Sequence, residues 1–108
     1  MANTFKLKTK ASVGVTTVGI YTAPMSTTTT IIGITLANVS GTSINVTVGI
    51  ARSVSDDINL LRNVPIPQGS TLEFMQGNKI VLEQADTLTA KSDVAGSLDV
   101  AVTLLEMT

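Results

Sequence analysis

Two runs of alternating residues in the middle of the chain decide the fold: Ile31-Ile-Gly-Ile-Thr-Leu-Ala-Asn-Val39 and Ser43-Ile-Asn-Val-Thr-Val-Gly-Ile-Ala51. In the second run an apolar residue occupies every other position, which is the pattern of a half-buried strand. In the first run Ile32, Ile34 and Leu36 are expected to share one buried face. Because Ser40-Gly-Thr42 between the runs is a short turn that contains glycine, the two runs predict a β-hairpin.

Shorter runs with the same two-residue period recur along the rest of the chain, and no helical periodicity interrupts them. Turn signals separate the runs, and Pro24 and Pro65 are expected to end strands because proline cannot donate a hydrogen bond to a sheet. The expected strands cover residues 5–9, 13–21, 31–39, 44–51, 58–64, 72–74, 79–83, 87–90 and 97–107.

Eight or nine short strands without connecting helices predict an all-β chain, folded as a single antiparallel β-sandwich of Greek-key or jelly-roll type. At 108 residues, the whole chain, residues 1–108, is expected to form one domain. Within residues 1–10 the stretch Phe5-Lys-Leu-Lys-Thr9 alternates as a strand does. We therefore expect an N-terminal arm or an edge strand there.

The composition is poor both in charge and in the side chains that carry most chemistry. The chain has no His, Cys or Trp, its charged residues amount to 14%, and its net charge is −1. A weakly charged surface near neutrality favours association. We expect a homo-oligomer, as a trimer or dimer, or a subunit docked on a partner. A monomer with a surface rich in Thr and Ser is the alternative.

The sequence predicts no catalytic residue, no metal site and no cofactor. Without His or Cys, catalysis is left to Ser/Thr–Lys or carboxylate schemes. Asp56 and Asp57, even with Asn59, offer too few ligands for calcium. The acidic residues are interpreted as turn and strand-edge residues: Asp56, Asp57, Glu83, Asp86, Asp93 and Asp99. A carboxylate-dependent hydrolase is kept as a competing hypothesis.

Nucleic acid, membrane and sugar are each disfavoured as partners. The basic cluster is confined to residues 6–10 and the isoelectric point is about 5.1, whereas a nucleic-acid surface needs broader positive charge. No run approaches the roughly 18 apolar residues of a membrane span, and the start of the chain lacks the apolar core of a secretory signal. Aromatic residues are 3% of the chain, which argues against a sugar-binding module, the remaining alternative.

Seven residues are candidates for contacts with partners. They belong to the N-terminal segment and to outward strand positions: Phe5, Lys6, Lys8, Lys10, Thr35, Asn45 and Thr47. The lysines share one face of their strand, where they either block unwanted strand pairing or reach an acidic neighbour. Three glycines are expected opposite the apolar face of their strands, as bends or as a flat contact surface: Gly14, Gly33 and Gly49.

Five segments, taken in order, carry a resemblance to known proteins: Tyr21-Thr-Ala-Pro24, Ala37-Asn-Val-Ser-Gly41, Val64-Pro-Ile-Pro-Gln-Gly69, Lys79-Ile-Val-Leu-Glu83 with Asp86-Thr-Leu88, and a closing strand that ends in Glu106. From about Tyr21 onward the chain resembles a family of small all-β virion structural proteins of tailed bacteriophages.

The resemblance implies a particle component without enzymatic activity, localised in the virion and assembled in the host cytoplasm. The leading hypothesis is a capsid decoration, or cement, protein that oligomerises and binds the major capsid protein or other virion proteins. The alternative is a structural component of the tail, neck or baseplate.

Overall fold

The structure, a computed structural model, describes residues 3–53, 56–74 and 79–108, and these ranges contain strands and no helix. The strands are β1 (Asn3–Val13), β2 (Val18–Thr22), β3 (Thr28–Asn38), β4 (Ile44–Ala51), β5 (Ile58–Ile66), β6 (Thr71–Phe74), β7 (Ile80–Leu82), β8 (Thr87–Ser92) and β9 (Leu98–Met107).

The strands form two antiparallel sheets that pack face to face. The first sheet has the order β1-β9-β3-β6, and β7 also pairs with β3; the second has the order β2-β8-β4-β5. Several connections cross from one sheet to the other, and this order is that of a jelly roll. The predicted all-β antiparallel sandwich is therefore confirmed.

The predicted hairpin between the two central runs is wrong. β3 lies in the first sheet, whereas β4 lies in the second and pairs with β5 and β8. Each strand buries a full apolar row, and two such rows can face each other across a sandwich as readily as they can share one sheet. The turn at residues 40–43 therefore carries the chain between sheets.

Three local expectations also need correction. Val13 ends β1 instead of opening a second strand, and Gly14 lies in the loop that follows it. Pro65 lies inside β5, which a proline can do because β5 is the last strand of its sheet. Ile32 falls at a register shift of β3, so that Ile31, not Ile32, is buried with the later residues of that strand.

The core is built from the alternate residues that face inward from both sheets. Its largest fully buried side chains are Ile31, Ile34, Leu36, Ile44, Ile66, Leu82, Leu88, Leu98 and Leu104. The same alternation leaves most of the polar strand residues on the two outer faces of the sandwich.

Gly49 is required by the close approach of β4 and β5. A Cβ at this position would lie 2.5 Å from the carbonyl oxygen of Ile58, so the two strands would have to separate. We expect Gly49→Ala to lower the free energy of unfolding by about 1–2 kcal/mol, as measured by urea denaturation.

Gly33→Ala is the matched control, because a Cβ at Gly33 would meet nothing within 4 Å. Its free energy of unfolding is expected to change by no more than about 0.5 kcal/mol. Equal losses in the two variants would show that crowding against Ile58 is not the cause.

Candidate interaction surfaces

β1 is an edge strand whose side chains are exposed on both faces. Among the described residues it pairs with β9 alone, and every residue from Asn3 to Ser12 is exposed. Phe5 and Leu7 are 72% and 65% exposed. Residues 3–10, predicted as an arm or an edge strand, thus lie within the first sheet and keep one backbone edge free.

The three lysines of β1 lie on the inner side of the first sheet, not on its outer face. Lys6 and Lys8 are register partners of Leu104 and Val102, which are buried core residues of β9. Side chains of directly paired residues lie on the same face of a sheet. An inward charge on an edge strand discourages pairing with a stray strand.

Lys6 belongs to a network that joins both sheets near their edge. Its Nζ lies 2.8 Å from Oε1 of Glu106 on β9. The Tyr21 hydroxyl of β2 donates to Oε2 of Glu106 at 2.5 Å and lies 2.7 Å from Oγ1 of Thr29 on β3. Burial, followed by the hydrogen bond to Glu106, raises the pKa of Tyr21 to about 12. The hydrogen bonds from Lys6 and Tyr21 lower the pKa of Glu106.

The outer face of the first sheet carries a row of apolar residues on β1, β9 and β7, with Thr30 of β3 between the last two, and we call this row the apolar stripe. Phe5 is the register partner of Leu105 on β9, and Leu105 is the partner of Thr30 on β3. Val81 of β7, which is exposed, is the next partner of Thr30. Leu7 lies on the same face. Exposed apolar groups in contiguous arrangement are characteristic of interaction sites.

The seven predicted contact residues do not form one surface. Phe5 and Thr35 lie on the outer face of the first sheet, whereas Asn45 and Thr47 lie on the outer face of the second, on the opposite side of the sandwich. The lysines occupy neither face. This division follows from the crossing of the chain between β3 and β4, which the hairpin prediction missed.

A polar hollow of about 440 Å³ occupies the outer face of the second sheet. We call it the basic trough, and its lining residues are Thr17, Thr47, Gly49, Asn59, Arg62, Asn63, Thr89 and Lys91. It contains Thr47 from the predicted set, but Arg62 and Lys91 were not among the predicted residues. The two cations come from β5 and β8, which are not neighbours in sequence and flank β4.

The acidic residues support turns, as interpreted from the sequence. Asp86 is buried; its Oδ2 accepts hydrogen bonds from the backbone N–H of Glu83 at 3.0 Å and from Nε of Arg52 at 3.2 Å. The Arg52 guanidinium also binds Glu83. These bonds brace the turn between β7 and β8.

Asp57 and Asp93, which lie in loops, and Asp99, near the start of β9, make similar contacts with backbone N–H groups. Asp57 accepts from Arg52, Asp93 from Asn45 and Asp99 from Ser12, each at 2.9 Å. Within the described ranges, no three His, Cys, Asp or Glu side chains are grouped as a metal site would require. The described part of the chain also contains no helix with the length and apolar character of a membrane span.

Comparison with known proteins adds a likeness of fold. No protein-family model and no curated protein sequence matched the chain. A solved structure from Bacillus endospore appendages, described as a novel family of disulfide-linked pili, is similar, with a TM-score of 0.60 and 16% sequence identity. The match covers 99% of this chain and 87% of the solved chain. At this identity, what the two chains share is the β-sandwich fold.

Proposed function

We propose that this protein is a non-enzymatic structural subunit of a multi-copy assembly. The observation that carries the proposal is the apolar stripe, which begins at the exposed edge strand β1. In a monomer the Phe5 and Leu7 side chains stay in water and contribute no stability, whereas a subunit of an assembly can bury them against a neighbour. The similar fold in a pilus protein supports a structural role.

The assembly is proposed to be a tailed-phage head, with the major capsid protein or other virion proteins as partners, on the strength of the five-segment resemblance. Many copies on a repeating lattice convert modest contacts into stable attachment. The chain has no cysteine, so the disulfide linkage described for the pili cannot operate between its copies.

Replacing both exposed residues, as Phe5→Ser with Leu7→Ser, is expected to weaken attachment to particles or self-association by more than about tenfold. Burying such side chains contributes about 1.5–3 kcal/mol each when complete, and 1.4 kcal/mol corresponds to a factor of ten in affinity. The measurements are sedimentation velocity over a range of concentrations and co-sedimentation with particles that lack the protein.

Met25→Ser is the matched control, because Met25 is also 72% exposed but lies in the loop between β2 and β3 and is not one of the residues of the stripe. Its attachment should equal that of the unmodified protein. If the control and the double variant weaken attachment equally, the stripe is not the contact surface.

Copy number in purified particles separates the two positions proposed within the virion. A head decoration protein is expected in hundreds of copies. A tail, neck or baseplate component is expected in at most a few dozen, and gold labelling would then fall on the tail. Labelling of the tail with few copies would refute decoration while leaving the structural role intact.

A further inference from the structure

The basic trough is shaped by an irregularity of β5. Val64 pairs with Val46 and Leu61 pairs with Val48, so that Arg62 and Asn63 together lie opposite the single residue Thr47. This is the arrangement of a β-bulge. Consecutive residues of a regular strand point to opposite faces, yet Arg62 and Asn63 both line the trough.

The backbone conformation of Asn63 and one hydrogen bond to Thr47 stabilise the bulge. Asn63 has a φ of 52°, in the left-handed region that asparagine tolerates better than most residues. Its N–H donates to Oγ1 of Thr47 at 3.2 Å. Bulges of this kind redirect side chains and are found next to binding and active sites. Here the bulge delivers a cation and an amide to the same hollow.

Two cations flank the trough, and neither has a partner of opposite charge in the part of the chain that the structure describes. Arg62 on β5 and Lys91 on β8 are separated by β4, hence by about 10 Å at the backbone, and both side chains are long enough to converge on one group between them. Neither makes an ion pair with any described residue, unlike Lys6 and Arg52. No carboxylate of a described residue lines the trough, and the Asp93 carboxylate, which lines a smaller hollow beside it, is bound to Asn45.

The trough offers more hydrogen-bond donors than the two oxygens of a carboxylate can accept. A guanidinium offers five N–H groups and an ammonium three, and the amides of Asn59 and Asn63 and the hydroxyl of Thr47 add to them. A tetrahedral oxyanion presents more oxygens than the two of a carboxylate. Arginine suits such groups because its planar fork can bind two oxygens at once.

We propose that the basic trough binds a ligand that carries a phosphate or sulfate group. Arg62 and Lys91 hold the oxyanion, and the hollow of about 440 Å³ accommodates part of the molecule attached to it. The side chains of Asn59, Asn63 and Thr47 bind the remaining oxygens. Among the described residues no aromatic side chain lines the trough, so recognition rests on charge and hydrogen bonds and not on stacking.

The test is a ligand titration of the full-length, isotopically labelled protein, in which NMR measures the chemical shifts of the backbone amides. Inorganic phosphate and sulfate are expected to cause saturable shifts confined to the trough, and acetate at equal ionic strength is not. If glucose 6-phosphate binds more tightly than both phosphate and glucose, the attached sugar is part of the ligand. If phosphate binds as tightly as glucose 6-phosphate, the ligand is the free oxyanion.

The variant Arg62→Gln with Lys91→Gln is expected to bind phosphate at least about tenfold more weakly, because it loses the charged hydrogen bonds from both cations. Lys79→Gln, which removes an exposed charge before β7 on the other sheet, should bind as the unmodified protein does. Both residues of the double variant have exposed side chains, so its spectrum outside the trough should be unchanged. Shifts that do not saturate, that acetate reproduces, or that persist in the double variant would overturn the proposal.

Discussion

Replacing Asn38 with alanine is expected to lower the free energy of unfolding by about 3 kcal/mol, because the change removes the four hydrogen bonds of a buried amide. Asn38 is the last residue of β3 and is 3% exposed. Its Nδ2 donates to the carbonyl oxygens of Thr42 at 2.8 Å and of Ile66 at 2.9 Å. Urea denaturation followed by circular dichroism measures the loss.

The size of this effect follows from where the side chain lies. Its Oδ1 also accepts hydrogen bonds from the N–H and the hydroxyl of Ser40. One amide thus joins the end of β3, the turn that follows, and the end of β5 in the opposite sheet. It holds the crossing that replaces the predicted hairpin.

Asn45→Ala is the control for the same chemical change at an exposed position. The Asn45 side chain donates only to Oδ2 of Asp93, at 3.3 Å, and a surface change of this kind is expected to cost no more than about 0.5 kcal/mol. Similar losses in the two variants would contradict the buried role of Asn38.

Replacing Glu106 with glutamine is expected to lower the free energy of unfolding by about 2 kcal/mol at neutral pH, since two hydrogen bonds to a charged acceptor are weakened. The Glu106 side chain is 9% exposed and binds Lys6 and the Tyr21 hydroxyl. Glu83→Gln is the matched control. Glu83 is 69% exposed and pairs with Arg52, and such surface pairs contribute about 0–1 kcal/mol.

The same network predicts how stability depends on acid. Lys6 and Tyr21 lower the pKa of Glu106 from its ordinary value of 4.5, so the unfolded chain takes up this proton first as pH falls. The stabilisation is therefore complete above pH 4.5 and is lost as pH falls through the lower pKa of the folded state. Denaturation curves over this range should show a smaller acid loss for Glu106→Gln than for the unmodified protein. If stability falls equally with acid in the two proteins, Glu106 is not the source of this pH dependence.

The strands themselves could be predicted from local pattern, because burial alternates with the two-residue period of a strand. The clean alternation of Ile44, Val46 and Val48 corresponds to buried residues of β4. The ends of strands were harder to predict, because they depend on which neighbour a strand pairs with and on whether it lies at the edge of its sheet. Pro65 continues β5 because that strand is at an edge, and Val13 belongs to β1 because it pairs with Leu98.

The candidate interaction surfaces could not be assembled from the sequence. Phe5 and Thr47 were both predicted as contact residues, but nothing in a linear pattern shows that they lie on opposite sides of the sandwich. Arg62 and Lys91 lie 29 positions apart in sequence, and they meet only because β5 and β8 both pair with β4. The bulge that turns Arg62 and Asn63 to the same side has no simple signature in the residues themselves.

By itself, the sequence determined that the chain forms strands, most of the side chains that those strands bury, and that it carries neither His nor Cys for the usual chemistry. Tertiary structure alone decided which sheet each strand joins, and hence which exposed residues share a face. The reason is physical: burial depends on the alternation within one strand, whereas strand pairing depends on contacts between residues far apart in the chain.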